Sequence, residues 1–334
     1  MKLKSLFFSL FFSLLVFSAG SAEALKIKFA VLAPEGSSWM VIMNKMDAEI
    51  RKRTNNKVKF QIFAGGKQGD ESVVLQKIKI GSIHAAGFTG IGMGKILPEV
   101  RLLEVPMLAR NYEEVDYLVE NLQSHYEKKF EEKGFILVGW AETGLVRFFS
   151  AEKVQTIDEF KKVKMWAWKD DPLAGEFLKE IGLKPVFIPI TDVLIQLETG
   201  MINSYYAPPL GAIALQWYPK SRYIGNTPIT DSLGSILISK KKWNKMTPEQ
   251  QKIVKEVMSK GCRELVQQVR KDNKKALEIL EQSGIQTVEY PQETLDVFEA
   301  ASMKLRQEMA GKMYSKELLE RAEKLLEEFR AKKK

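Results

Sequence analysis

From residue 25 onward the chain alternates between strand and helix patterns, and this alternation limits the fold more than any other feature. LKIKFAVLAPEGSSW begins with the alternating apolar residues of a strand, and apolar residues then follow at helical spacing up to residue 56. KVKFQIF predicts a second strand, GGKQGDESVVLQKIKIG a Gly-rich loop and helix, and HAAGFTG a third strand. This order of strands and helices favours an open α/β sheet.

A second strand–helix–strand unit lies between residues 150 and 230. Strand-like crossings at 145–150 and 229–239 connect it to the first unit. A chain that leaves one α/β unit, builds another and returns makes two lobes with a cleft between them. Ligands of such sheets bind outside the carboxyl ends of the strands, and hinged lobes close on a solute by bending at the crossings.

The N-terminal 24 residues have the pattern of a secretory signal peptide. Lys2 and Lys4 precede an apolar run at residues 6–17, and Ala22 and Ala24 form an A-x-A cleavage site. The run is too short for a membrane span, which needs about 20 residues. An uncleaved anchor helix is the alternative. We predict an exported protein that does not span the membrane after cleavage.

Composition argues against several function classes. Cys262 is the only cysteine, so no intramolecular disulfide can form. His84 and His125 are the only histidines and have no ligand cluster beside them, which predicts no metal site. No paired nucleophile and base is evident, so we predict no catalysis and no cofactor. The net charge of +9 comes from Lys and Arg interleaved with Glu, which indicates solvated faces rather than nucleic-acid binding.

Two short motifs have ordinary structural explanations. GIGMG at residues 90–94 lacks the third glycine of a dinucleotide-binding loop, and a tight turn near the cleft explains it better. KDDP at residues 169–172 favours a capped helix start over a cation site.

Aromatic residues gather at the predicted strand ends. Trp39, Trp140, Trp166 and Trp168 lie at or near such ends, and Trp217 follows the YYAPP turn. Side chains alternate along a strand, so Trp166 and Trp168 point to the same face. A single tryptophan at such a place is more often core than ligand contact, but five of them together favour an apolar small-molecule site.

Four segments, in their order, resemble one family over essentially the whole chain after residue 24. They are LKIKFAVLAPEGSSW, GGKQGDESVVLQKIKIGSIHAAGFT, GWAETGLVRFFSAEKVQTIDEFKKVKMW and ITDVLIQLETGMINSYYAPPLGAIALQWY. They resemble the solute-binding proteins of tripartite ATP-independent periplasmic (TRAP) transporters, the DctP-type family. The resemblance implies an α/β fold of the periplasmic binding protein type, with two hinged lobes, a cleft between them and a long helix at 247–280 bridging both. It also implies a periplasmic location and a membrane permease as the partner.

This organisation predicts the following boundaries. Lobe I comprises residues 25–147 and 234–262, lobe II comprises residues 148–233, and residues 263–334 form bridging and C-terminal helices that pack across both lobes.

Departures from the family pattern affect the predicted ligand. The family carries an arginine, which holds the ligand carboxylate, at the position of Trp166, and a second arginine where this chain has Val146. Ala207 stands where an asparagine contacts the carboxylate. Arg147 is adjacent to the second position, but on a strand it faces the other way. Three polar ligand groups are thus replaced by apolar ones.

The resemblance and its departures together predict an apolar-pocket variant that binds a largely hydrophobic or aromatic molecule. Burial of about 200 Å² of apolar ligand surface contributes about 5 kcal/mol. An unpaired carboxylate in such a pocket costs several kcal/mol. The predicted ligand-binding residues are Trp39, Gln68, Asp70, Glu71, Phe88, Thr89, Glu142, Arg147, Trp166, Trp168, Tyr205, Tyr206, Ala207 and Pro208.

Three alternatives stay open at the level of sequence. The same fold binds an ordinary organic acid if Arg147 takes over the role of the missing arginine. A quaternary amine is a third kind of ligand, held over the tryptophan faces. A periplasmic scaffold or chaperone-like protein, with an apolar cleft for a partner chain, is the remote alternative.

Overall fold

The computed structural model describes residues 24–169 and 171–333. The predicted signal peptide, residues 1–24, therefore lies outside the described residues apart from Ala24. The strands are, in chain order, β1 (Leu25–Ala30), β2 (Val58–Phe63), β3 (Ala85–Thr89), β4 (Phe135–Ser150), β5 (Trp166–Trp168), β6 (Val186–Ile188), β7 (Ser204–Ala207), β8 (Tyr223–Gly225), β9 (Thr230–Ser239) and β10 (Gln286–Val288).

The α-helices alternate with these strands and then dominate the C-terminal part. They are α1 (Ser38–Arg53), α2 (Glu71–Lys79), α3 (Gly90–Ile96), α4 (Tyr112–Glu132), α5 (Ile157–Phe160), α6 (Pro172–Glu180), α7 (Val193–Glu198), α8 (Pro209–Ala214), α9 (Lys240–Trp243), α10 (Pro248–Gln282), α11 (Gln292–Met309) and α12 (Lys316–Ala331). Short 3₁₀ helices span Pro98–Glu104, Ile190–Asp192 and Tyr218–Lys220. The predicted α/β class is confirmed.

The main sheet is mixed and runs through both lobes. Its strand order is β10-β8-β4-β9-β3-β1-β2, and β7 also pairs with β4. β1 is parallel to β2 and β3, whereas β9 is antiparallel to β3 and β4. The two crossing segments predicted from sequence belong to β4, with 16 residues, and β9, with 10. β5 and β6 form a separate parallel pair.

The crossing strand β4 takes part in two sets of pairings. Up to Val146 it pairs with β9, and from Arg147 onward it pairs with β7. Register shifts between Leu137 and Gly139 and between Glu142 and Gly144 mark irregular points in the first set. One continuous strand therefore connects the lobe I sheet to the strands that carry lobe II.

The long helix α10 packs against elements of both lobes, as the resemblance implies. It has 35 residues and contacts α1 and β4 as well as α8. Its start is defined by a capping box, in which the Thr247 hydroxyl accepts the Gln250 N–H and the Gln250 side chain accepts the Thr247 N–H. Among the described residues, no helix has the length and apolar character needed to cross a membrane.

Candidate ligand-binding site

A cavity of about 840 Å³, which we call the interlobe cavity, lies between lobe I and lobe II. It is bounded by the ends of β1 and β3 on one side and by β5, β7, α6 and α8 on the other. Most of its lining is apolar. Of the residues predicted from sequence, those that line it are Trp39, Glu71, Phe88, Thr89, Trp166, Trp168, Tyr206, Ala207 and Pro208.

Stacked aromatic rings form the lobe II wall of the interlobe cavity. The Trp166 ring centroid lies 5.0 Å from that of Tyr206 at an interplanar angle of 27° and 6.2 Å from that of Trp168 at 30°. The Trp217 ring meets Trp166 edge-on at 5.3 Å. Both strand tryptophans line the cavity, as the alternation of β5 predicts.

Three polar groups of this aromatic wall form hydrogen bonds within the protein. The Trp166 indole N–H donates to the Ile188 carbonyl at 3.0 Å. The Trp168 indole N–H donates to Asp70 Oδ2 at 3.2 Å, which joins the two lobes. The Tyr206 hydroxyl accepts the Trp168 backbone N–H at 3.2 Å. The wall therefore presents mainly ring carbons to a ligand.

Lobe I contributes Trp39 and Phe88 to the opposite wall. The Trp39 indole N–H donates to the Glu142 carbonyl at 3.3 Å, which sets the position of the ring. The absence of a side chain at Gly87 makes this approach possible, since a Cβ there would lie 3.0 Å from the Trp39 ring. A hydrogen bond to the β4 backbone and a residue without a side chain thus hold an aromatic ring at the cavity.

Glu71 has a structural role at the edge of the cavity. Its carboxylate accepts the Thr89 N–H at 2.7 Å, the Thr89 hydroxyl at 2.8 Å and the Gly92 N–H at 2.8 Å, at the start of α3. Burial raises the pKa of Glu71 to about 7. A Cβ at Gly92 would lie 2.3 Å from the Phe88 ring and 2.7 Å from the Glu71 carboxylate. The GIGMG segment is thus the start of a helix packed closely on these two residues.

A buried ionic group that the sequence did not reveal lies where the lobes meet. Arg101 Nη2 donates to Asp171 Oδ1 at 2.9 Å, and Arg101 Nη1 lies 3.1 Å from Glu104 Oε2. Burial disfavours the charged guanidinium, but the charges of Asp171 and Glu104 outweigh it and raise the pKa of Arg101. Burial raises the pKa of Glu104 to about 7 against the opposing charge of Arg101. Asp171 also caps α6, as the KDDP motif predicts.

Asp231 is a further residue that sequence reasoning missed. It lies on β9, is only 1% exposed and lines the interlobe cavity. Neither of its carboxyl oxygens has a hydrogen-bond partner among the described residues. Burial, together with the charges of Glu142 and Glu104, raises its pKa well above the ordinary value.

Alternation along the strands places Arg147 and Tyr205 away from the cavity. Val146 and Tyr206 line it, whereas Arg147 and Tyr205 do not. Arg147 Nη1 donates to the Gly225 carbonyl at 3.0 Å and to that of Asn226. The Tyr205 ring stacks on Phe149 with centroids 4.9 Å apart. Of the two tyrosines predicted to form the wall, only Tyr206 lines the cavity.

Three further predicted residues lie outside the cavity lining. Glu142 is 1% exposed and its carboxylate binds the Arg270 guanidinium at 2.8 and 2.9 Å. Asp70 caps α2 and reaches the cavity only through its bond to Trp168. The Gln68 side-chain oxygen accepts a hydrogen bond from the Lys77 ammonium at 3.0 Å. Within residues 24–169 and 171–333, no group of three or more metal-ligating side chains is found.

Comparison with known proteins assigns the chain to a family. The family model for bacterial extracellular solute-binding protein, family 7 (DctP), matches residues 29–313. The chain belongs to this family. Members of family 7 are solute-binding proteins and not enzymes.

Relatives within family 7 are distant in sequence. The 2,3-diketo-L-gulonate-binding periplasmic protein YiaO of Escherichia coli is 22% identical over 294 residues, which span 86% of this chain and 88% of YiaO. An uncharacterized protein of Haemophilus influenzae is 24% identical over 218 residues, 64% of this chain and 65% of that protein.

Solved structures of TRAP solute-binding proteins share the fold. The sugar acid binding protein DctPAm from Advenella mimigardefordensis, in complex with galactonate, has a TM-score of 0.85 at 17% identity, covering 91% of this chain and 98% of its own. The protein from Pseudomonas putida F1 with bound D-glucuronate has a TM-score of 0.83 at 21% identity, covering 89% and 96%. These matches confirm the predicted periplasmic binding protein fold of this chain.

Proposed function

We propose that this family 7 protein captures a largely hydrophobic or aromatic small molecule in the periplasm and delivers it to a TRAP membrane permease. The proposal is supported by the apolar lining of the interlobe cavity, in which the stacked rings of Trp166, Trp168 and Tyr206 form one wall. Trp166 stands where the resemblance places a carboxylate-binding arginine. The cleaved signal peptide at residues 1–24 belongs to this proposal as the route of export.

The charges at the cavity support an apolar ligand rather than a carboxylate. Arg101 is the one arginine among the described lining residues, and it is engaged by Asp171 and Glu104. Lys275 lies at the cavity as an exposed side chain. A ligand carboxylate would thus have to displace a buried ion pair, which costs several kcal/mol, or rely on the exposed Lys275, whose ion pairs are weakened by solvent.

The experiment uses N-phenyl-1-naphthylamine, a neutral apolar probe whose fluorescence rises on transfer from water. We expect it to bind the purified protein at one site, and Trp166→Ala to weaken this binding at least tenfold. Trp243→Ala is the matched control, because Trp243 is equally a buried tryptophan but does not line the cavity. We expect the control to keep its affinity within threefold. Equal affinities in the wild type and Trp166→Ala would place the site elsewhere.

The second candidate function is capture of an organic acid. YiaO is a 2,3-diketo-L-gulonate-binding protein, and the Pseudomonas putida protein was solved with bound D-glucuronate. Arg147 faces the carbonyls of Gly225 and Asn226, so this function requires either its reorientation or the release of Arg101 from its carboxylates. Calorimetric titration with D-glucuronate separates the two functions. Tight binding of D-glucuronate that Arg147→Ala or Arg101→Lys abolishes would replace our proposal with this one.

A further inference from the structure

The end of lobe I opposite to the interlobe cavity has a surface of its own, which we call the basic face. Strands β1, β2 and β3 are parallel, and the cavity lies where β1 and β3 end, so these strands begin at the other end of the sheet. β9 ends there and β4 begins there, because Ala85 pairs with Ile238 and Phe135 with Ser239. The segments that form the basic face are residues 24–26, 54–57, 80–84, 133–134 and 240–246.

These segments contain seven lysines and no acidic residue, namely Lys26, Lys57, Lys133, Lys240, Lys241, Lys242 and Lys245. Lys240 forms an ion pair at 2.9 Å with Glu131, near the end of α4. None of the other six forms an ion pair with a residue that the structure describes. Elsewhere in the chain lysines alternate with glutamates along the helices, so this face differs from the ordinary solvated surface.

The cations of the basic face are close enough to repel one another. Burial and the charges of Lys242, Lys28 and Lys245 lower the pKa of His84 to about 4. Burial and the charges of Lys245 and Lys28 lower the pKa of Lys242 as well. Both shifts have the direction that uncompensated positive charge produces. Self-repulsion of this kind is relieved when an anionic partner is bound.

An exposed apolar side chain lies beside these cations. Ile80 is 80% exposed, the largest exposed fraction of any large apolar side chain among the described residues. It precedes Gly81, whose backbone forms a hydrogen bond with the His84 ring. Lysines around an exposed isoleucine match the surface of an anionic bilayer, where headgroup phosphates meet the cations and the apolar side chain enters the headgroup layer. A small soluble anion would gain nothing from Ile80.

We propose that the basic face docks the protein on an anionic phospholipid membrane, with its lysines against the headgroup phosphates and Ile80 in the headgroup layer. The interlobe cavity then points away from the bilayer, because it lies at the other end of the strands. β1 begins at Leu25 on this face, so the predicted signal peptide joins the protein on the same side. The inference goes beyond the proposed function, since it assigns a partner to a surface that the solute does not reach.

The test measures co-sedimentation with lipid vesicles of the protein purified from the periplasm without residues 1–24, so that the signal peptide cannot cause the binding. We expect binding to phosphatidylcholine vesicles that contain about 30% phosphatidylglycerol, and at least tenfold weaker binding to phosphatidylcholine alone. Raising the NaCl concentration from about 0.1 M to about 0.5 M should weaken binding at least tenfold, because salt screens exposed charges. Absence of binding to the anionic vesicles would overturn the inference.

A charge-reversed triple variant, Lys26→Glu with Lys241→Glu and Lys245→Glu, tests whether the basic face is the surface that binds. All three side chains are exposed, and we expect the variant to bind anionic vesicles at least tenfold more weakly. The matched control has the same net charge and carries its three reversals at exposed lysines outside the basic face, namely Lys184, Lys271 and Lys274. We expect the control to stay within threefold of the wild type. Equal losses in the two variants would show attraction by net charge alone and would overturn the inference.

Ile80→Ser tests the apolar part of the contact and is expected to weaken vesicle binding about threefold. Met303→Ser on α11 is its control, because Met303 is 60% exposed and lies outside the basic face. An unchanged affinity in Ile80→Ser would overturn the insertion of this side chain. If the triple variant fails to fold, as judged by circular dichroism, Ile80→Ser and the lipid and salt dependence of the wild type still decide the question. None of the substituted residues lines the interlobe cavity, so binding of the naphthylamine probe tests the proposed function separately.

Discussion

At Trp166, an indole ring stands where the resemblance places an arginine, and the surroundings match the ring. Its N–H is satisfied by the Ile188 carbonyl, and its ring stacks with those of Tyr206 and Trp168. A guanidinium here would need carboxylate or carbonyl partners in place of these rings. The replacement at one position therefore changes which chemical groups the whole wall can receive.

His84 provides a prediction of how stability depends on pH. Its Nδ1 accepts the Lys28 backbone N–H at 3.0 Å, and burial together with the charges of Lys242, Lys28 and Lys245 lowers its pKa to about 4. An unfolded histidine takes up its proton near pH 6.5. The unfolded state therefore binds more protons between about pH 6.5 and 4, and the free energy of unfolding falls as the pH drops through this window.

We expect His84→Asn, whose amide oxygen can accept the same Lys28 N–H, to flatten this fall. Because the side chain is partly exposed and screened by solvent, the expected difference is about 1 kcal/mol. Urea unfolding of the wild type and the variant at pH 6.5, 5.5 and 4.5 measures it. Parallel pH profiles of the two proteins would show that His84 is not responsible.

At the scale of elements, the alternation of side chains along β4 decides which of its residues reach the cavity. Val146 and Phe148 line it, whereas Arg147, which lies between them, has its guanidinium at the Gly225 carbonyl. A shift of one residue would reverse this choice, because neighbouring residues of a strand face opposite sides. The apolar character of this part of the cavity thus depends on the register of β4.

The long helix α10 is joined to both lobes by one side chain. Asn273 is 5% exposed, its Nδ2 donates to the Thr143 carbonyl at 2.9 Å, and its Oδ1 accepts the Leu210 N–H at 3.0 Å. Thr143 lies on β4 in lobe I, and Leu210 lies in α8 of lobe II. The helix therefore fixes the position of α8, which borders the interlobe cavity.

We expect Asn273→Ala to lower the free energy of unfolding by about 2–3 kcal/mol, because it leaves polar backbone groups without partners in a buried site. Asn121→Ala is the control, since the Asn121 side chain also donates to a backbone carbonyl but is exposed. Denaturant unfolding of the three proteins provides the comparison. A loss below 0.5 kcal/mol in Asn273→Ala would show that this residue does not join the elements energetically.

At the scale of the whole molecule, two contacts hold the lobes together across the cavity. One is the buried pair of Arg101 and Asp171, and the other is the bond from the Trp168 indole to Asp70. Arg101 lies in the 3₁₀ helix Pro98–Glu104 of lobe I, and Asp171 caps α6 of lobe II. Opening of the lobes must break both contacts, so they favour the closed arrangement.

We expect Asp171→Asn to shift the protein towards an open arrangement. The amide oxygen can still accept the N–H groups of Leu173 and Ala174 that Asp171 now caps at 3.1 and 3.2 Å, so α6 is retained while the charge is lost. Small-angle X-ray scattering should show a larger radius of gyration without ligand, and affinity for the naphthylamine probe should fall about tenfold. Identical scattering and affinity would mean that the ion pair does not control closure.

The sequence by itself determined the α/β class, the two crossings and the common face of Trp166 and Trp168. All of these follow from local periodicity, because the period of two along a strand assigns each side chain to a face. Tyr205 was predicted to line the cavity beside Tyr206, but its ring packs on Phe149 instead.

Only the tertiary structure decided which polar groups meet at the interlobe cavity. Arg101 and Asp171 are 70 positions apart, and Glu104 accepts the Leu233 N–H from 129 positions away. Asp231 lacks any motif that marks it in the sequence. Such contacts depend on how separate elements pack, and hydrophobic periodicity carries no information about the partners of a buried charge. The apolar wall was therefore predictable from sequence, while the buried ionic group of Arg101, Asp171 and Glu104 was not.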